Sequence, residues 1–382
     1  MKSRISRYID VMKLRLVPSL VLAFLFAASS VAAAATWYVN GVTGSNSNSC
    51  LSPTTACKTI GHAISLSVSG DSIRVAAATY KENLGIDFNL NILGSSATTT
   101  IIDGGGVGTV VAISSTSAHV ALSRLTIRNG STYFGGGGIS NQGTLRVIDS
   151  TLSGNVAINS FFAHGGGISN SGTVTISSST LSGNTARLEC NRPCVAEGGG
   201  IFNSGTLTIN NSTLSGNSAV RSGGNGFGGG IFNLGGRVTI NNSTLSGNSA
   251  DTSGGGIFNN GAATLQNSIV ANSPSGGNCS GTTGTGTITS KGYNLSSDGS
   301  CDFDGPGDLN NTDPMLGPLQ NNGGPTQTMA LPSGSPAVDA GNPSGCTDGL
   351  GHLLKTDQRG KPRPDTEDTG GCDIGAFEKQ SD

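Results

Sequence analysis

The sequence predicts an all-β protein: a right-handed parallel β-helix with a short helical N-terminal cap and an irregular C-terminal cap. Three observations carry that expectation. One line of sequence recurs four times: a glycine triplet, Ile, one variable residue and Asn, followed at a nearly constant interval by Leu-Ser-Gly-Asn. The copies start at Ile139, Ile168, Ile201 and Ile231, and a degenerate fifth runs from Ile257 to Ile269-Val270-Ala271-Asn272. Within each copy, apolar residues alternate over short runs, as in Leu207, Ile209 and Leu214, or Val174, Ile176 and Leu181. A period of two over runs this short means strands with one buried face. Asparagines also stand at two constant places: Asn141, Asn170, Asn203, Asn233 and Asn259 two after the Ile, and Asn155, Asn184, Asn217, Asn248 and Asn272 three after the Leu or its equivalent.

The chain opens on a basic stretch (Lys2, Arg4, Arg7, Lys13, Arg15), then an apolar run from Leu16 to Ala28, then small residues at Ala33-Ala34-Ala35. That order reads as a secretory signal peptide over 1–35, cut before Thr36; the apolar run is short for a spanning helix. The β-helix is expected over 36–275. A helix between Lys58 and Leu66, with Ile60, Ala63 and Ile64 on one face, would cover the first circuit and hide its sticky edge. Asn91-Ile92-Leu93, Thr100-Ile101-Ile102, Val110 to Ile113 and Leu122 to Ile127 read as strands of the early circuits.

The repeats of about 30 residues occupy 136–272 and follow one another at 29, 33, 30 and 26 residues. Such intervals are too short for helical crossovers and suit one turn of a coil, with successive circuits roughly 4.8 Å apart. A strand returning parallel to itself does so right-handedly. The asparagine columns are expected to hydrogen-bond from circuit to circuit, and the glycine triplets to form corners open only to glycine. Length variation is confined to one corner: 16 residues from Leu152 to Ile168, 20 from Leu181 to Ile201, 17 from Leu214 to Ile231 and 12 from Leu245 to Ile257. Loops gathered on one face mark a candidate binding face. After about residue 275 the repeat fades and Pro and Asp rise, so 276–382 is read as a separate C-terminal region of irregular circuits and a cap.

Only 12% of the 382 residues are charged. Removal of 1–35 leaves 16 basic and 22 acidic residues, a net charge of −6, which disfavours nucleic acid and anionic lipid as partners. No segment after the leader is apolar enough to span a membrane as a helix. The cysteines fall into near neighbours, Cys50 with Cys57, Cys190 with Cys194, Cys279 with Cys301 and Cys346 with Cys372, and in an exported chain they read as four disulfides, although sequence alone leaves the connectivity open.

The repeat resembles that of the polymorphic outer membrane proteins, in which Gly-Gly-Ala precedes a branched aliphatic residue and Phe-x-x-Asn follows. Gly165-Gly166-Gly167-Ile168 and Leu181-Ser182-Gly183-Asn184 each depart from it by one residue, and the resemblance covers about 103–275. It implies a surface-exposed, adhesive protein. The last hundred residues lack the alternating strands of the membrane barrel that ends many such proteins. The C-terminal third is similar to the choice-of-anchor Q domain of bacterial surface proteins. The match rests on Asp313-Pro314-Met315-Leu316-Gly317-Pro318-Leu319, Asn322-Gly323-Gly324-Pro325-Thr326, Ser335 to Gly341, Asp357-Gln358-Arg359-Gly360 and Cys372-Asp373-Ile374-Gly375-Ala376-Phe377-Glu378. Only Lys379 to Asp382 follow, so release or attachment by another route is implied.

Glycoside hydrolysis needs two carboxylates several ångströms apart. The five repeats hold only Asp149, Glu189, Glu197 and Asp251, none recurring beside another on a neighbouring strand. Asp298, Asp302, Asp304 and Asp308 bunch near Cys301 without EF-hand spacing and read as turn acids rather than a calcium loop. Asp357 and Arg359 are expected to pair structurally near Asp373, and His119 and His164 to be single satisfied or solvated residues. No catalytic residue, metal site or cofactor is assigned. Phe202, Phe232 and Phe258 sit between the inward Ile and Asn, so alternation points them outward as a candidate sugar-binding strip. The reading is a secreted or outer-surface, non-catalytic binding or adhesion module, monomeric, whose partner is an extracellular glycan or a host or cell-surface protein. The alternative is a divergent lyase or glycoside hydrolase acting on acidic polysaccharide.

Overall fold

The computed structural model describes residues 33–159, 162–189, 194–221, 225–281, 286–349, 351–365 and 371–380. All of the expected leader but Ala33, Ala34 and Ala35 lies outside these residues, as does Cys190. Residues 34–382 form one compact unit, and it is the right-handed parallel β-helix that the repeat predicts. Among the described residues no helix is long and apolar enough to cross a membrane.

Three long ladders of parallel strands wrap the lumen. The first has ten strands, from Thr36–Val39 to Thr287–Ser290; the second nine, from Ala78–Lys81 to Leu295–Ser296; the third eight, from Leu84–Ile86 to Cys279–Gly281. A circuit visits them as third, first, second: Ile201–Asn203, Thr206–Asn210, Thr213–Ser215. The register stacks like on like. Ile139, Ile168, Ile201, Ile231 and Ile257 pair in sequence, as do Leu152, Leu181, Leu214, Leu245 and Val270. All ten are fully buried, and burying a side chain of this size contributes about 1.5–3 kcal/mol.

The corners are held by columns of polar side chains. Asn141, Asn170, Asn203 and Asn233 each donate Nδ2 to the Oδ1 of the next asparagine at 2.7–2.8 Å, ending on Asn259. The column runs one way, so the Oδ1 of Asn141, with Ile113 in the preceding circuit, is left without a donor among the described residues. Asn155, Asn184, Asn217 and Asn248 form the second column at 2.9 Å. Asn272 does not join it. Val270, not Ile269, pairs with Leu245, so Asn272 falls opposite Gly247 and takes its left-handed backbone (φ 56°) in solvent. A third column had no expectation behind it: the backbone N–H groups of Ser150, Ser179, Ser212 and Ser243 donate to the hydroxyl of the next serine, ending on Ser268. The triplets require glycine because the backbones nearly touch: a Cβ on Gly166 would stand 2.4 Å from the carbonyl oxygen of Gly199.

The variable corner is more regular than its lengths suggest. In successive circuits it runs out along Val156–Asn159, Thr185–Leu188 and Ser218–Arg221, and back along Phe162–His164, Val195–Glu197 and Gly226–Phe227. These strands form two further parallel sheets, a flap joined edge to edge through the repeats. Its own small core is mostly alanine: Ala157, Ala163, Ala186, Ala196, Ala219 and Ala250, with Leu188 and Cys194.

Both ends of the lumen are closed. The helix Ile60–Leu66 buries Ile60, Ala63 and Ile64 against the first strands. Thr59 caps it by accepting from His62 N–H, and the Glu82 carboxylate accepts from the free N–H groups of Ile60 and Gly61 at 2.9 and 2.7 Å. At the far end the coil continues beyond 275, to Leu295–Ser296, where Cys301 and Phe303 enter the core. Residues after about 313 are not an end cap. They turn back and lie along the outer face of the second ladder, from the strand at Thr180–Ser182 to the one at Ile269–Ala271, as the hydrogen bonds below show.

Candidate functional site

The returning tail divides the outer face of the second ladder into a covered and an open half. Over the covered half, Thr180 Oγ1 donates to the Gln327 carbonyl at 2.6 Å, Thr213 Oγ1 to Gln358 Oε1 at 2.6 Å, and Thr244 Oγ1 accepts from Ala376 N–H at 3.0 Å. Corner asparagines do the same: Asn211 Nδ2 donates to the Thr356 carbonyl, Asn242 Nδ2 to that of Thr347 and Asn267 Nδ2 to that of Asp373, at 2.6–2.8 Å. Motif residues of the C-terminal third build this seam. Asp357 accepts from Arg359 Nε at 2.7 Å and from the N–H groups of Arg359, Lys361 and Glu378. The Arg359 guanidinium lies 3.6 Å over the Phe377 ring and also donates to the Glu378 carbonyl. Arg363 and Glu378 pair at 2.7 Å, both fully buried, and Arg363 Nη1 reaches Asn211 Oδ1 at 2.9 Å. Burial pushes the Glu378 carboxyl up to about 7, with nearby Asp373 adding to the push and Arg363 opposing it; Glu378 Oε1 has no hydrogen-bond partner among the described residues. The expected Asp357–Arg359 pair is therefore present, inside a docking seam rather than a cap.

The open half, closer to the N-terminus, carries a concave surface that brings tail and coil together. A hollow of about 310 Å³ is walled on one side by Asn321, Pro325, Thr326 and Gln327 of the tail and floored by Ile101, Thr126, Arg128, Thr151 and Ser153. A second, of about 450 Å³, lies over Lys81, Asp103, Asn129, Ser131 and Val156 and meets the base of the flap. The Arg128–Asp103 ion pair, 2.8 Å long, lies between them. Lys81, Asp103, Arg128 and Ser153 occupy one outward column on adjacent strands, so charges of alternating sign follow one another at strand spacing. Burial alone would raise the Asp103 carboxyl; hydrogen bonds from Gly105 N–H, Arg128 and Asn129, with the Arg128 charge, outweigh it and hold the group below its ordinary range. Among the described residues it is the one carboxylate on the lining of either hollow. Among the described residues Lys81 has no ion-pair partner and is exposed. This cleft had no expectation behind it. Thr151, Ser153 and Val156 belong to the first of the four good copies, Lys81, Asp103, Thr126 and Arg128 lie upstream of it, and the turned-back tail adds Asn321, Pro325, Thr326 and Gln327 as a wall.

The aromatic strip is not a surface. Phe202, Phe232 and Phe258 stack in register outside the lumen, with centroids 5.8 and 5.1 Å apart and planes within 6°, but they are only 3–7% exposed. Phe227, on a returning flap strand, packs against Phe258 at 4.9 Å. Alternation set the direction of these rings correctly; the flap folding back over them removes them from a ligand's reach. His164 extends the stack, its ring centroid 4.1 Å from that of Phe202 and its plane nearly parallel, with Nε2 2.9 Å from Glu197 Oε2.

Cys50–Cys57, Cys279–Cys301 and Cys346–Cys372 are disulfides; Cys194 is disulfide-bonded within the flap core, and Cys190 is outside the described residues. Among the described residues the single grouping of metal-type ligands is Cys50, Cys57 and His62, whose sulfurs are already joined. Asp298 accepts from Ser300 and Asn278 N–H groups, and Asp308 from those of Asn294 and Gly305. These two acids therefore hold turns. Asp149 faces Arg124 at 3.9 Å, Glu189 faces Arg187 at 2.9 Å, and His119 is exposed.

No protein-family model and no curated protein sequence matches this chain. Solved structures similar to it include the GH136 lacto-N-biosidase from Eubacterium ramulus, with a TM-score of 0.31 and 10% identity over 68% of this chain. The chain spans 56% of that enzyme's length. The pectin methylesterase PemA from Erwinia chrysanthemi has a TM-score of 0.31 and 15% identity, over 78% of this chain and 86% of its own. A pectin methylesterase mutant in complex with a hexasaccharide has a TM-score of 0.34 at the same identity and coverage.

Proposed function

We propose that the protein is exported and works outside the cell, in the medium or on the cell surface, as a non-catalytic module that binds an extracellular glycan in the cleft between tail and flap. The observation that carries this reading is the lining of the cleft: hydroxyls and amides from Thr126, Thr151, Ser153, Asn129, Asn321 and Gln327, an exposed Lys81, and one carboxylate already engaged by Arg128. Hydroxyls and amides suit a sugar chain, which offers donors and acceptors all along its length. A single engaged carboxylate does not provide the pair that glycoside hydrolysis requires. The basic leader, the disulfides and the resemblance of the repeats to surface proteins support export. A net charge of −6 without the leader supports a partner other than nucleic acid.

A glycan array, followed by calorimetry on any hit, tests the reading. Wild-type protein is expected to bind a defined set of glycans, and Lys81→Ala with Arg128→Ala to weaken binding at least tenfold while Phe232→Ser leaves it unchanged. Loss of binding in Phe232→Ser alone, in folded protein, would move the site to the flap. Reducing or unsaturated ends released from pectin, alginate or chondroitin would replace a binding module with an enzyme.

A further inference from the structure

Small residues recur along 27–35 of the leader, and the two cleavage frames nearest the fold differ by one residue. Small residues stand one and three positions before the cut whether it falls after Ala35, behind Ala33-Ala34-Ala35, or after Ala34, behind Ala32-Ala33-Ala34. Sequence pattern does not separate them, but the structure treats the two products differently.

Ala35 is tied into the fold at both ends. Its carbonyl accepts from Ser72 N–H at 2.9 Å, continuing the pairing of Thr36–Val39 with Ser72–Val75. Its N–H donates to Asp71 Oδ1 at 2.7 Å. The other carboxylate oxygen of Asp71 accepts from Trp37 Nε1 at 2.8 Å and Val68 N–H at 3.0 Å. Every one of these donors is neutral, and among the described residues no Lys, Arg or His pairs with Asp71. Ala33 and Ala34, by contrast, are exposed.

We infer that the leader is cut between Ala34 and Ala35, so that the mature chain begins at Ala35 and its α-ammonium group pairs with the Asp71 carboxylate. This rests on the export reading and moves the expected cut one residue upstream. In the cleavage, water adds to the Ala34 carbonyl carbon and the C–N bond to Ala35 breaks. Ala34 leaves as a carboxylate on the leader, and the Ala35 nitrogen takes up protons to become an ammonium ion; a leader peptidase is the catalyst. The nitrogen does not need to move. Its 2.7 Å approach to Asp71 is already that of a charge-assisted bond. A cut after Ala35 would instead discard this donor and leave Ser72 N–H without its carbonyl.

The experiment is expression of the full chain in an exporting host, with intact mass and N-terminal sequencing of the released protein. The expected first residue is Ala35. An exported chain beginning at Thr36, or anywhere else, overturns the inference and leaves export standing; an uncut chain retained in the cell overturns both. A second measurement concerns the pair itself. In the mature protein the α-amino group is expected to titrate about one unit above its ordinary value of about 7.7–8.0, and Asp71→Asn to remove that shift. An unshifted amine in folded wild-type protein overturns the pairing.

Discussion

The covered and open halves of the second ladder are written with nearly the same repeat yet do different work. Thr126, Thr151, Thr180, Thr213 and Thr244 are one column in continuous register. Thr180, Thr213 and Thr244 are buried beneath the tail and bonded to it; Thr126 and Thr151 are half-buried and floor the cleft. The corner column before them has one backbone conformation throughout, left-handed with φ from 48° to 56° at Arg124, Asp149, Ser178, Asn211, Asn242 and Asn267. Its side chains change where the tail begins. Arg124 and Asp149 face solvent and each other; Asn211, Asn242 and Asn267 reach into the tail. The coil dictates which positions repeat, and the tail dictates what three of them must hold.

The sharpest way to break this contrast is to detach the tail. At pH 8, where Glu378 is ionised in the folded chain, Arg363→Ala leaves that carboxylate buried without its cation, and we predict a loss of about 3–5 kcal/mol. Hydrogen exchange should then rise in residues 313–380 and along Thr180, Thr213 and Thr244, while the strands at Thr126 and Thr151 keep their protection. A uniform rise would show that the two halves are a single cooperative unit.

A pH experiment asks the same question more gently. Burial raises the folded-state value of Glu378 from 4.5 to about 7. The folded chain therefore holds a proton that the unfolded chain releases, so this group's contribution is complete below about 4.5 and is lost as pH rises toward 7. We predict denaturant stability lower by on the order of 2 kcal/mol at pH 8 than at pH 4.5 from this group. Glu378→Gln should flatten that slope, and an unchanged slope in the variant would assign it to other carboxyls.

Two paired substitutions probe equivalent positions. Thr213→Val strands Gln358 Oε1 without its donor and should cost about 1–3 kcal/mol, whereas Thr151→Val in the open half should stay within about 0.5 kcal/mol. The smallest contrast is at the corner: Asn242→Ala should cost about 1 kcal/mol and Arg124→Ala close to nothing, both by chemical denaturation. Equal effects in either pair would remove the distinction drawn here.

The coil was legible because its information is local and redundant. Ile168, Ile201 and Ile231 announce the circuit, and Asn170, Asn203 and Asn233 announce the column, since each needs only its neighbour one turn away. The fifth copy misled for the same reason. Ile269 resembles the start of Leu-Ser-Gly-Asn, but the pairing of Val270 with Leu245 shifts the frame by one, and one residue is enough to turn Asn272 out of the column. The flap was half legible. Its length variation was visible, while Ala157, Ala186 and Ala219 are too small to signal a second core.

What the sequence alone determined is the winding: period, inward and outward faces, corner glycines and stacked amides, each a matter of chemistry repeated at short range. Tertiary structure alone decided which outward residues meet solvent. Whether Phe232 is a surface or a filling depends on the flap; whether Thr213 binds water or Gln358, and whether Arg128 shares a hollow with Gln327, depend on where the non-repeating tail lies down. That segment docks more than a hundred residues away along the chain, through contacts that no periodicity encodes.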